Sequence, residues 1–136
     1  MAIQRTIAIV GACSKNGRLA SKRLATKKSR LLLVDENRKD LLLLKNEIES
    51  RYTGAEIAIM ESLKEAGWEA DIIVLSSDWQ KEKEIVATIK PFITGKTVIS
   101  FTGDNTCLLP YSKVIALKED NKDWLGEMER ALKNTF

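Results

Sequence analysis

Apolar and polar positions along this chain change period from block to block. Short, nearly continuous apolar runs at residues 6–10, 31–34, 56–60, 72–75, 97–101 and 113–117 read as strands. Between them, residues 17–28, 38–51, 80–90 and 122–133 carry apolar side chains at spacings of three and four, as one face of a helix requires. Ala20 and Leu24 mark the inner face of the first helix, and Leu41, Leu44 and Ile48 that of the second. Pro91 stops the third, because it has no N–H to donate. Trp124, Leu125, Met128, Ala131 and Leu132 form the face of the last. Residues 62–66 make a short helix or turn that ends at Gly67.

Strand and helix alternate without a linker, repeat or low-complexity segment. That pattern predicts one α/β domain over residues 1–136, a doubly wound and mostly parallel sheet covered on both faces. Right-handed crossovers and a long return after the third strand give the order 3-2-1-4-5-6. The order reverses between strands one and four. Their C-terminal ends, residues 11–17 and Ser76-Ser77-Asp78, then face one crevice.

Composition narrows the classes. A hydrophobic content of 44% with 30% charged residues suits a soluble globular domain. The net charge of +3 is too mild to argue for nucleic acid. Arg18, Lys22, Arg23, Lys27, Lys28 and Arg30 read as a solvated helix face. The chain has no histidine, which removes His-dependent triads and His metal ligands; no metal site is expected. Cys13 and Cys107 stand far apart, make no disulfide framework and suit a reducing cytoplasm. No signal peptide or membrane span is expected, since no apolar run approaches the roughly 20 residues a span needs.

The chemistry concentrates in Gly11-Ala12-Cys13-Ser14-Lys15-Asn16-Gly17, between the first strand and the first helix. A glycine-bearing turn there presents backbone N–H groups at a helix N-terminus, where a pyrophosphate binds. Asp35 ends the second strand about 20 residues later, the place of a carboxylate that holds a ribose hydroxyl. The turn spells G-x-x-S-x-x-G, not G-x-G-x-x-G. Gly11 can make the tight turn and Gly17 can let the helix pack closely. Ser14 stands where a middle glycine would let a phosphate approach; its hydroxyl could donate to the phosphate, or its Cβ could obstruct it. An ordinary βα turn without a ligand is the plain alternative.

Two further strings carry a resemblance. Ala70-Asp71-Ile72-Ile73-Val74-Leu75-Ser76-Ser77 is followed by Lys90-Pro91-Phe92-Ile93-Thr94-Gly95-Lys96-Thr97-Val98-Ile99-Ser100. Together with the turn they resemble the Rossmann nucleotide domain of deazaflavin-dependent NADP reductases, prephenate dehydrogenases, pyrroline-carboxylate reductases and the 6-phosphogluconate dehydrogenase superfamily. The resemblance runs from about residue 5 to residue 117. It implies a nicotinamide cofactor and hydride transfer. The helical substrate domain of those enzymes has no counterpart here, and a homodimer or a partner would then complete the site. Deazaflavin-dependent reductases carry a Ser-Arg pair after the second strand. This chain has Asp35-Glu36-Asn37-Arg38 instead, which favours NAD over NADP, with Arg38 and Lys39 keeping NADP open.

The expected cofactor contacts are therefore residues of the turn, Asp35, Asn37, Arg38, Ser76 and Ser77. Ser76 and Ser77 could line the nicotinamide ribose or, with Asp78, cap the third helix. Lys15, Tyr111 and Lys113 are conceivable proton donors, but none belongs to a recognisable constellation. Cys13 could gain reactivity from the helix N-terminus or simply fill the turn. Asp71 reads as a strand-edge or cap residue, Gly103-Asp104-Asn105 as a turn, and Trp68, Trp79 and Trp124 as packing. The apolar stretch 107–111 could meet a partner or pack beneath the last helix. Two functions stay open: an NAD(P)-dependent oxidoreductase, and a non-catalytic dinucleotide-binding sensor or accessory module. A methyltransferase is a third, weaker class.

Overall fold

Six strands form a single sheet in the order β3-β2-β1-β4-β5-β6, and all five pairings are parallel. The computed structural model describes residues 5–25, 29–76, 79–101, 112–117 and 122–135. The strands are β1 (Arg5–Val10), β2 (Ser29–Val34), β3 (Glu56–Ile59), β4 (Ile72–Leu75), β5 (Thr97–Ser100) and β6 (Lys113–Ala116). The helices are α1 (Lys15–Leu24), α2 (Arg38–Arg51), α3 (Leu63–Glu69), α4 (Trp79–Ile89) and α5 (Trp124–Thr135). A 3-10 turn over Lys90–Phe92 follows α4 and contains Pro91.

Side chains alternate across the sheet with period two, which makes two cores. Ile7, Ile9, Leu31, Leu33, Ile72, Val74 and Ile99 pack under Ala20, Leu24, Leu41, Leu44, Ile48, Trp124, Met128 and Leu132 of α1, α2 and α5. Ala8, Val10, Leu32, Val34, Ile73, Leu75 and Val98 pack under Ala66, Val86 and Ile89 of α3 and α4. The register fixes the central strands in line, with Ile7 opposite Leu31 and Ile72, and Val10 opposite Val34 and Leu75. Burial of each such side chain contributes about 1.5–3 kcal/mol. The expected face of α5 closes through Trp124, which meets Phe101 edge-on at 4.9 Å between ring centres.

Two local expectations change. The first helix begins at Lys15 rather than Gly17, because Ser14 already caps it. Gly67 does not end the short helix but lies inside α3. A Cβ at Gly67 would come within 3.2 Å of Ile89 Cγ2, so the glycine serves the contact between α3 and α4. No helix among the described residues is long and apolar enough to cross a membrane.

Candidate functional site

The sheet order places β4 directly beside β1, and the crevice opens at their C-terminal ends. Gly11 leaves β1 at φ 78°, a left-handed conformation open to glycine and strained for most other residues. Its N–H and that of Ala12 both donate to the Val34 carbonyl, at 2.8 and 3.1 Å. The turn is thereby pinned to the tip of β2. Gly17 then lets α1 cross the turn closely. A Cβ there would overlap the Gly11 carbonyl and come within 2.8 Å of the Ala12 Cα.

Ser14 takes a role that neither sequence alternative supplied. Its Oγ accepts from the Gly17 N–H at 3.0 Å as the N-cap of α1. The same oxygen lies 2.7 Å from the Gly11 carbonyl and 2.9 Å from the Ser76 carbonyl. A hydroxyl has one proton, so these two carbonyls share it. The side chain is spent inside the protein and ties the turn to β4.

Asp35 closes the turn from the other side. Its Oδ2 accepts from the Cys13 N–H at 3.0 Å and its Oδ1 from the Asn37 N–H at 3.1 Å. An ionised carboxylate accepts about four hydrogen bonds, so a ribose hydroxyl can still be held there. Asn37 caps α2 by accepting from the Asp40 N–H at 3.0 Å. Arg38 pairs with Glu61, and both side chains are exposed.

Backbone donors of the turn are mostly satisfied internally. Gly11 and Ala12 donate to Val34, Cys13 to Asp35, Ser14 to the Gly11 carbonyl, and Gly17 to Ser14. The N–H of Lys15, first in α1, has no acceptor among the described residues. Lys15 is exposed, and Asn16 follows it on the same helical turn. Arg18 Nε donates to the Cys13 carbonyl at 2.9 Å.

The Cys13 thiol is not activated by the helix terminus. Burial first, then the charges of Asp35 and Asp40, push it up from 9.0 to about 11, with Arg18 opposing weakly. It fills the turn beside the core, the plainer of the two sequence readings.

Ser76 is buried and faces β1, not α4. Its Oγ donates to the Val10 carbonyl at 2.6 Å, and its N–H to the same carbonyl at 3.0 Å. It locks the two strand tips together. Ser77, Asp78, the 103–105 turn and residues 107–111, Tyr111 included, lie outside the described residues.

Other candidates separate in space. Asp71 precedes β4, at the far end of the sheet from the turn. Its Oδ2 accepts from the Thr6 N–H at 3.0 Å, a structural bond, as expected. Lys113 opens β6 at that same far end, so it is no proton donor to the crevice. Of the basic residues read as one helix face, three pair with carboxylates of other elements, Lys22 with Glu47 at 2.7 Å, Arg23 with Glu129 at 2.5 Å and Arg30 with Glu69 at 3.6 Å, and Arg30 lies on β2 rather than on the helix. Trp68 departs from the packing expectation, being 69% exposed. Lys96 Nζ stands 5.9 Å from its ring centre and donates to the Gly67 and Trp68 carbonyls at the end of α3.

A cavity of about 260 Å³ adjoins the turn at the tips of β1 and β2. Val10, Val34, Leu63 and Ile85 give it apolar walls, and Asp35, Glu36, Glu61 and Glu84 give it carboxylates. Sequence reasoning missed Glu61, Leu63, Glu84 and Ile85. Glu61 had a signal, since it follows β3 as Asp35 follows β2; Glu84 had none, because the fold of α4 brings it there. The residues present fit a dinucleotide. The cavity would take a flat base, Asp35 a sugar hydroxyl, and the Lys15 N–H at the start of α1 a phosphate oxygen.

Comparison with known proteins agrees with this geometry. The profile of a family described as NADP oxidoreductase, coenzyme F420-dependent, matches residues 6–103. The crystal structure of a protein from Jannaschia sp. CCS1, provisionally named an oxidoreductase, superposes with a TM-score of 0.63 at 18% identity. The match covers 85% of this chain and 41% of that one, so this chain spans well under half of that protein's length. At that identity the likeness is one of fold. No curated protein matches. The family's description names NADP, where Asp35 had pointed to NAD.

Proposed function

The chain belongs to the coenzyme F420-dependent NADP oxidoreductase family, and on that premise we propose that it binds a nicotinamide dinucleotide over the 11–17 turn in the service of hydride transfer. The observation that carries the reading is the Lys15 N–H. It has no acceptor among the described residues and stands at the mouth of the β1–β4 crevice, beside a cavity of about 260 Å³. When bound, the nicotinamide supplies or accepts the hydride.

The chain's own residues bind and orient. Lys15 contributes its backbone donor to a phosphate oxygen, with the α1 dipole behind it. Asp35 accepts from a ribose hydroxyl while holding the Cys13 and Asn37 amides. Ser14 and Ser76 fix the turn against β4, so the donor is set in place before the ligand arrives. Such preorganisation lowers the ordering cost of binding.

A non-catalytic dinucleotide-binding module is the second reading. It is favoured by the inward commitment of most turn amides and by the placement of Asp71 and Lys113 at the opposite end of the sheet. Calorimetric titration with NAD, NADP, their reduced forms and S-adenosylmethionine tests both. Saturable binding of a dinucleotide is expected. Binding of S-adenosylmethionine with no dinucleotide binding overturns the proposal. Turnover with a deazaflavin as hydride partner then separates the enzyme from the module.

A further inference from the structure

We propose that Glu61 and Glu84 make this chain select the dinucleotide with a free 2′-hydroxyl, NAD, over its 2′-phosphorylated form. The inference rests on the dinucleotide reading above and concerns which form the site takes.

The cavity beside Gly11 is lined by carboxylates from three separate elements. Asp35 and Glu36 follow β2, Glu61 follows β3, and Glu84 stands on α4. Among the described residues no cationic side chain lines it. Ribose hydroxyls and the exocyclic amine of adenine are hydrogen-bond donors, and carboxylates are pure acceptors, so the two match. A phosphate monoester offers acceptors only and carries about −1.5 to −2 charges near neutral pH. Each carboxylate that favours the hydroxyl therefore opposes the phosphate.

Two cations at the start of α2, Lys39 and Arg38, could reverse this preference, and Arg38 is the one the structure ties to the cavity. It is paired with Glu61, itself a lining residue of the cavity. Both side chains are well exposed, at 64% and 74%, so the pair itself is easily broken. Breaking it is not the obstacle. Arg38 can reach a 2′-phosphate only by leaving Glu61 unpaired beside the same phosphate, with Asp35, Glu36 and Glu84 facing it across one cavity. Among the described residues, the Arg38 guanidinium and the Lys39 ammonium, neither of them lining the cavity, then stand against the four carboxylates that do. Glu61 thus acts twice, by occupying the arginine and by contributing its own charge.

The test is calorimetric titration of NAD and NADP into the wild-type chain, Glu61→Gln, Glu84→Gln and the double variant. Both positions are exposed, and a melting curve for each variant checks that it folds. Wild type is expected to bind NAD roughly tenfold or more tighter than NADP at low salt, with the gap narrowing as salt screens the charges. Each Gln substitution should shrink the ratio by roughly three- to tenfold, whereas Glu61→Asp should keep it. Tighter NADP binding by wild type, or a ratio that neither substitution moves, overturns the inference and leaves the dinucleotide reading standing. Binding of neither dinucleotide by the folded wild-type chain overturns both.

Discussion

The Ser14 hydroxyl lies 2.9 Å from the Ser76 carbonyl, across 62 residues of sequence, and so fastens the turn after β1 to the tip of β4. The same oxygen caps α1 through the Gly17 N–H. A side chain at the position nearest a prospective phosphate is thus part of the scaffold.

Ser14→Ala should therefore act on stability before it acts on ligand. Loss of the cap and the cross-tie is expected to cost about 1–2 kcal/mol in urea unfolding of the ligand-free chain. Dinucleotide affinity should change by less than roughly tenfold, since no ligand contact is removed. A variant of unchanged stability with affinity lost would place the hydroxyl on the phosphate instead.

Gly17→Ala should be the more damaging change. Its Cβ would overlap the Gly11 carbonyl and press on Ala12, both backbone groups held in place by the β2 tip. Overpacking of this kind costs about 1–3 kcal/mol or more. Chemical denaturation would show it as a lower midpoint with an unchanged slope. A midpoint equal to wild type would mean that α1 can move away from the turn.

Asp35→Asn should weaken the ligand-free fold, apart from any effect on cofactor. The carboxylate accepts from two backbone amides with its two oxygens, and an amide side chain can offer an acceptor to one of them. A loss of about 1–2 kcal/mol is expected without ligand. If stability is unchanged while NAD binding falls, the carboxylate serves the ribose and not the turn.

The Cys13 thiol should be sluggish toward alkylation at neutral pH. Burial and the nearby Asp35 and Asp40 charges raise it from 9.0 to about 11. The folded state thus prefers the protonated thiol. Its contribution to stability is fully present below pH 9 and is lost as pH rises from about 9 through about 11. Iodoacetamide labelling in a Cys107→Ser background, followed against pH, should show its rate rising only toward the upper end of that window. Rapid labelling near pH 7 would contradict the assigned surroundings.

Much of the architecture was legible in the chain because it rests on local periodicity. Leu31-Leu32-Leu33-Val34 and Ile72-Ile73-Val74-Leu75 are apolar at every position, and only a strand covered on both faces uses such a run. Their alternation with helical blocks implied the parallel sheet, and crossover handedness implied its order. Gly11 and Asp35 were recognisable because their places, just after a strand, follow from backbone geometry alone.

Contacts made across the sheet were not legible. Whether Ser14 pointed to a ligand or to the protein depended on Ser76. Its carbonyl arrives only when the crossover lays β4 beside β1. Gly67 looked like a helix stop because its neighbour Ile89 is distant in sequence. Lys113 seemed available to the crevice until strand direction put it at the opposite end of the sheet. Glu61 and Glu84 joined Asp35 around one cavity through the packing of β3 and α4, which no spacing within the chain encodes. Period and turn chemistry are properties of neighbouring residues, and the sequence by itself determined them. Charge, hydrogen-bond partnership and proton affinity depend on what lies across space, and the tertiary structure decided those.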